Sequence, residues 1–236
     1  MLGILGGMGP LAGATFLARL TLLTPAVRDQ DHVPCVLWSD PRVPDRTAAR
    51  LAGGPDPLPF LLRGVRGLET AGCEAVAIPC NTAHGWYDDL AAATRLPILH
   101  IVDATAAELR RLGLESGRIG LLGTAGTLAM RLYQERLEPL GYDCLVPEAA
   151  EMQTLVSPAI AEVKANRVAA ARVPLMDAAA RLVARGADAV VLGCTEIPLA
   201  ISAETDAAEL GVPIADSIDA LARAALDQVA AMAQPA

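Results

Sequence analysis

GCEAVAIPCNT, residues 72–82, and GADAVVLGCTE, residues 186–196, share one pattern. Each has a turn glycine, an acid, an apolar run of strand length, and then a cysteine leading into polar residues. The apolar runs are continuous rather than alternating, as in a strand covered on both faces, and hence in a parallel sheet with helical crossovers. Outward from this pair the repeat continues. LGILGGMGPLA (2–12) matches IGLLGTAGTLA (119–129), and LPILHIVDA (96–104) matches VPIADSIDA (212–220). The three pairs are offset by 117, 114 and 116 residues. Three matches in the same order at nearly one spacing point to two copies of an α/β half-domain.

Strands are expected at 2–5, 35–39, 75–79, 97–101, 118–123, 143–147, 189–193 and 213–217, separated by Ala/Leu/Arg/Glu stretches of helical length. The expected fold class is α/β: two pseudo-symmetric halves, each a small parallel β-sheet flanked by helices. Residues 1–97 plus 212–236 would form the first half and 98–211 the second. Functional groups of parallel α/β sheets gather beyond the carboxyl ends of the strands. Cys80 and Cys194 both stand there, so the active site is expected in the cleft between the halves.

Composition narrows the functions open to such a chain. Of its 236 residues, 53% are hydrophobic but only 3% aromatic, so the core must be aliphatic. No apolar run reaches the roughly 20 residues that cross a bilayer, and MLGILGGMGP enters a strand with no basic leader. A cytoplasmic protein is expected. A net charge of −8 without a basic run argues against nucleic acid and membrane partners. Five cysteines, none in a CxxC or close His/Cys pair, argue against a disulfide framework or a metal site. Eighteen of the nineteen basic residues are Arg, which singles out Lys164.

A cysteine at a strand-to-helix turn meets unpaired backbone N–H groups and the positive end of the following helix, which favour a thiolate or a bound carboxylate. Two such thiols on one carbon suit removal of a proton from one face and delivery of a proton to the other, with roles exchanged according to substrate hand. Free cysteines also commonly just pack in cores. That plainer role is expected of Cys35, Cys73 and Cys144, which lack the shared position and the polar followers.

MLGILGGMGPLA, VPDRTA (43–48), IPCNTAH (78–84) and LGCTE (192–196) together resemble the pyridoxal-independent aspartate/glutamate racemase family along essentially the whole chain. Glutamate racemases of that family typically open with an Asp-Ser-Gly turn and carry a His after the second Cys-Thr. GGMGP and Glu196 stand at those places here, which points to the aspartate racemase branch. The resemblance implies cofactor-independent racemisation of aspartate, with Cys80 and Cys194 as catalytic acid and base. It also implies a small acidic amino-acid substrate and a homodimer.

For a dicarboxylic substrate Arg46 can offer a bidentate fork and Lys164 a point-like cation, and aspartate racemases are similar at both positions. A loop ion pair with Asp45 and a solvated helix position are the plainer roles of these two residues. Met8, Gly9, Thr124 and Thr127 sit in the Gly-rich turns facing the substrate, although glycines there also serve turn geometry. Asn81, Thr82 and Thr195 would donate hydrogen bonds. Glu196 would bind the substrate ammonium, tune Cys194, or simply favour a helix start. His84, one turn past Cys80, either tunes that thiol or faces solvent, and His32 and His100 carry no readable signal.

GMGPLA (7–12) fits a dinucleotide fingerprint, but the acid that should end a second strand is missing and the turn recurs near Gly126. A pyridoxal enzyme would have to use Lys164, which lies far in sequence from either Gly-rich turn. A glutamate-preferring or broad-specificity racemase of the same family and a non-catalytic binder of acidic amino acids remain as alternatives.

Overall fold

A computed structural model of the chain describes residues 1–233. It divides into two compact units, Met1–Ala104 with the C-terminal segment from Ile218, and Thr105–Ser217.

The first unit contains β1 (Leu2–Gly6), α1 (Pro10–Leu23), β2 (Cys35–Ser39), α2 (Arg46–Leu51), α3 (Leu58–Thr70), β3 (Ala75–Ala77), α4 (Tyr87–Ala92) and β4 (Ile98–Leu99). From β4 the chain runs directly into α5 (Ile101–Arg111). The sheet order is β2-β1-β3-β4 and every pairing is parallel. Leu2 and Ile4 of the central strand β1 are fully buried, as are Ala75 to Ala77 of β3, which is why these strands read as unbroken apolar runs. After β1 the chain turns at Gly7, whose φ is +92°; a Cβ there would lie 2.4 Å from the backbone nitrogen of Asp40. Only glycine fits that approach. Pro10 then opens α1, where its fixed φ suits the first helical position and its missing N–H costs nothing.

The second unit repeats the plan. It contains β5 (Gly117–Gly123), α6 (Ala125–Ala129), α7 (Gln134–Leu137), β6 (Tyr142–Leu145), α8 (Ala149–Glu151), α9 (Ser157–Lys164), α10 (Val168–Ala184), β7 (Ala189–Gly193), α11 (Ala207–Leu210) and β8 (Ile214–Asp216). Helix α12 (Ser217–Ala233) follows β8 directly. The order is β6-β5-β7-β8, again all parallel. Its core joins Val190, Leu192 and Cys194 to Leu175, Ala178, Ala179 and Leu182 of α10.

The eight expected strands and their order are all present, as two parallel four-stranded sheets flanked by helices. The division of the chain differs in detail from residues 97/98 and 211/212. Ile98–Leu99 pairs with β3 and Ile214–Asp216 with β7, so the chain leaves each unit after its fourth strand rather than before it. The reason is the pairing itself: each short strand completes the sheet it follows, and the helix behind it carries the chain onward.

Candidate functional site

In the first unit Cys80 lies beyond the carboxyl end of β3, its N–H bonded to the carbonyl of Ile78 at 2.8 Å. The chain then enters a single 3-10 segment, Thr82–Trp86, with Asn81 at its head. Cys80, Asn81 and Thr82 are all buried. Met8 and Val43 pack in the same cluster as Cys80 and Ile78, so the β1 turn and the loop before α2 meet the cysteine turn. Gly9 caps the start of α1 in an extended conformation.

Arg46 is the first residue of α2 and is itself buried. Its guanidinium donates to the carbonyl of Met8 at 2.8 Å, of Pro44 at 3.1 Å and of Val43 at 3.4 Å. Its Nε is buried with no hydrogen-bond partner. Asp45, a possible partner in a loop ion pair, caps α2 by accepting from the N–H of Ala48 at 2.7 Å. The guanidinium is therefore desolvated and fastened to the Met8 turn, with its Nε–H unsatisfied.

In the second unit Cys194 follows β7 without a gap, beside Thr124, because Gly123 and Gly193 are register partners in the sheet. Thr124 caps α6: its hydroxyl accepts from the N–H of Thr127 at 3.1 Å, and the two hydroxyls lie 3.0 Å apart. Thr195 and Glu196 are buried, and the Cys194 thiol donates to Glu196 Oε2 at 3.1 Å. Burial pushes the Cys194 thiol well above its usual range and the charge of Glu196 adds to this, while Lys164 pulls weakly the other way. Lys164, exposed at the end of α9, is thus within electrostatic reach of this thiol.

Two expectations change. The structure opening after each cysteine is 3-10 rather than α-helical: Thr82–Trp86, which runs straight into α4, and the short turn Ile197–Leu199. His84 does not face solvent: it is 3% exposed and its Nδ1 lies 2.9 Å from the carbonyl oxygen of Cys80. Residues of no sequence signal also enter. His100 is buried beside His84, with ring centroids 4.8 Å apart. Tyr133 is fully buried near Cys194, its hydroxyl 3.4 Å from that of Thr105 and bonded to Ser217, whose own hydroxyl donates to the carbonyl of Leu192 at 2.7 Å. Cys35, Cys73 and Cys144 have thiols pushed up by burial, Cys144 to about 12.

Residues 5–225 match the Asp/Glu/hydantoin racemase family. The chain belongs to that family. A solved structure of the aspartate racemase of Picrophilus torridus superposes with a TM-score of 0.85 at 32% identity, covering 97% of this chain and 94% of that one. The broad specificity amino-acid racemase RacX of Bacillus subtilis is 28% identical over 227 residues, which is 94% of this chain and 95% of RacX. A glutamate racemase of Deinococcus radiodurans is 32% identical over 196 residues, 79% of this chain and 60% of that protein. Family membership makes the chain an amino-acid racemase. Among the described residues no helix is long and apolar enough to cross a membrane.

Proposed function

We propose that the protein racemises aspartate without a cofactor, using Cys80 and Cys194 as the two acid–base groups. The observation that carries this is the equivalence of the two thiols. Each follows the third strand of its chain segment, in sheets of identical order, and each is buried and followed by buried polar residues. One thiolate takes the α-proton; the other thiol delivers a proton to the opposite face. The reverse reaction exchanges the roles, which gives duplicated machinery a chemical reason. Buried N–H and hydroxyl groups at Asn81, Thr82, Thr124, Thr127 and Thr195 would bind the α-carboxylate and stabilise the charge that develops on it. Met8 and Gly9 would shape the same pocket by their backbone.

Arg46 would hold a substrate carboxylate through its remaining donor, with Lys164 as a second cation. Glu196 would accept from the substrate ammonium as well as from Cys194. Similarity along the full chain to an aspartate racemase at 32% identity supports aspartate as substrate. Similarity to RacX over nearly the same length supports a broader amino-acid range as the second reading. We further propose that the enzyme is a cytoplasmic homodimer.

Proton NMR of L-aspartate and of D-aspartate in D2O, under reducing conditions and with no pyridoxal phosphate, tests the proposal. Loss of the α-proton signal from both enantiomers with formation of the opposite hand is expected. Cys80→Ala and Cys194→Ala should each abolish racemisation. Exchange with other amino acids but not aspartate would replace the substrate and keep the chemistry. No exchange with any amino acid would sink the racemase assignment and leave a binder of acidic amino acids.

A further inference from the structure

His84 stands four residues after Cys80 and its ring joins two separate strand ends. Nδ1 lies 2.9 Å from the carbonyl oxygen of Cys80, and Nε2 lies 3.2 Å from the backbone nitrogen of Ile101, the first residue of α5. A carbonyl can only accept and an N–H can only donate, so these partners assign the proton to Nδ1 and leave Nε2 bare. The ring is neutral in this arrangement. His100 completes the cap, because its Nδ1 accepts from the N–H of Val102 at 3.2 Å. Two imidazoles therefore satisfy the first two N–H groups of α5, which have no partner within the helix. Tyr87 closes the cluster, 4.6 Å from His100 and stacked on His84 at 6.2 Å, with its hydroxyl donating to the carbonyl of Ile98 at 3.1 Å.

We propose that His84 is a positioning residue for Cys80: its neutral, Nδ1-protonated ring ties the thiol's turn to the N-terminus of α5. The catalytic consequence rests on the racemase function proposed above, whereas the tie itself does not.

The other half of the molecule shows what the tie does. Pro198 stands four residues past Cys194, and no imidazole is available there. The residue corresponding to Ile101 is Ser217, whose hydroxyl donates to the carbonyl of Leu192 at 2.7 Å. Both halves thus pin the end of the cysteine strand to the start of the helix behind the fourth strand. Ser217 does so with a group that does not titrate, and His84 with one that does.

An added proton on His84 would remove the acceptor for Ile101 and bring an N–H towards the carbonyl of Leu99, 3.4 Å away. It would also place a cation at a helix N-terminus, which the helix dipole disfavours. The titratable groups facing the ring are Cys80, Tyr87 and His100, with Asp103 in the first turn of α5. Arg50 lies 4.1 Å over the neighbouring Trp86 ring.

Two measurements on the whole protein test the tie independently of turnover. Nitrogen-15 NMR of the imidazoles should show the Nδ1–H tautomer for His84 at pH 7.5, with a slowly exchanging Ile101 amide. Site-resolved alkylation by iodoacetamide should change at Cys80, and not at Cys194, in His84→Ala. In aspartate racemisation His84→Ala should lower kcat by about tenfold to a hundredfold, the effect of a misplaced catalytic group, with KM within about twofold. His84→Gln carries one amide donor and one acceptor and cannot titrate. It should recover most of kcat and flatten the loss of activity towards acid pH. An Nε2–H tautomer would overturn the proposal, as would Cys80 alkylation and Ile101 exchange unchanged in a His84→Ala protein of native melting temperature. If His84→Ala does not fold, the wild-type tautomer and the His84→Gln profile decide. Absence of any α-proton exchange in the wild type would remove the racemase function while the tautomer and alkylation results still judged the tie.

Discussion

Cys194 and Glu196 form a buried pair in which the thiol donates to the carboxylate. Burial first, and then the charge of Glu196, holds the proton on Cys194 to unusually high pH. The proposed two-thiol mechanism needs one thiol and one thiolate, so loss of this proton would set the alkaline limb of kcat/KM, in both directions of the reaction. Removing the charge of Glu196 lowers the pH at which Cys194 ionises. The alkaline limb of Glu196→Gln is therefore expected at lower pH than that of the wild type, as initial rates from pH 7 to 10 would show. An unmoved limb would separate Glu196 from the titration of Cys194. Arg46 gives a second expectation at this scale. Lysine cannot reproduce three planar contacts to the carbonyls of Met8, Val43 and Pro44. Arg46→Lys should raise KM for aspartate by about tenfold or more, on the order of one lost charge-assisted hydrogen bond; an unchanged KM would place Arg46 in the scaffold alone. The two cysteines were legible in the sequence because a repeat marks position directly. The nearness of His84 to Cys80 was legible too, but its tie was not, because that depends on Ile101, a residue 17 positions away brought beside it by the β3–β4 pairing.

At the scale of elements, α3 approaches β2 through its glycines. Gly64 and Gly67, three residues apart on one helical face, both abut Trp38. A Cβ at Gly67 would lie 2.4 Å from Trp38 Cζ3, and one at Gly64 would lie 2.3 Å from Leu5 Cδ1. Overpacking of this kind costs about 1–3 kcal/mol, so Gly67→Ala should lower the unfolding free energy by that amount in urea titration despite its gain in helix propensity. A stabilised Gly67→Ala would show that the helix can retreat from the sheet. The opposite change on α10, Leu182→Ala, removes a fully buried side chain from the second core and should cost about 2–5 kcal/mol. The sequence announced stretches of helical length between the strands. It could not tell which glycines were turn residues and which were contact surfaces, since that depends on the ring lying opposite.

For the whole molecule, ligand binding couples to stability. A ligand that binds only the folded protein raises its stability by about 2.7 kcal/mol at a hundred times Kd. The double variant Cys80→Ser, Cys194→Ser should not turn substrate over yet should still melt at higher temperature with L- or D-aspartate, and much less with alanine. Equal shifts with alanine and aspartate would favour the broad substrate range. Asp40 sets an acid limit on the fold. Its carboxylate accepts from Arg42 at 2.8 Å and from Arg63 at 3.1 Å, and Arg42 chiefly holds its carboxyl well below the usual range. A depressed native pKa contributes stability above the unfolded value of about 4 and loses it as pH falls below that. Asp40→Asn should therefore melt lower than wild type at pH 7, with the difference shrinking towards pH 2.

By itself the sequence determined that the strands are parallel, their order within each repeat and the position of both cysteines at strand ends. These follow from local periodicity and from duplication, which any linear reading can detect. The tertiary structure decided where the chain passes from one unit to the other and that Arg46 is fastened to the Met8 carbonyl. It also decided that the ring of His84 caps α5 at Ile101. Each of these is a matter of which donor finds which acceptor across long stretches of chain. Strand pairing fixes that matching only after the sheet has formed, and no neighbouring residue encodes it.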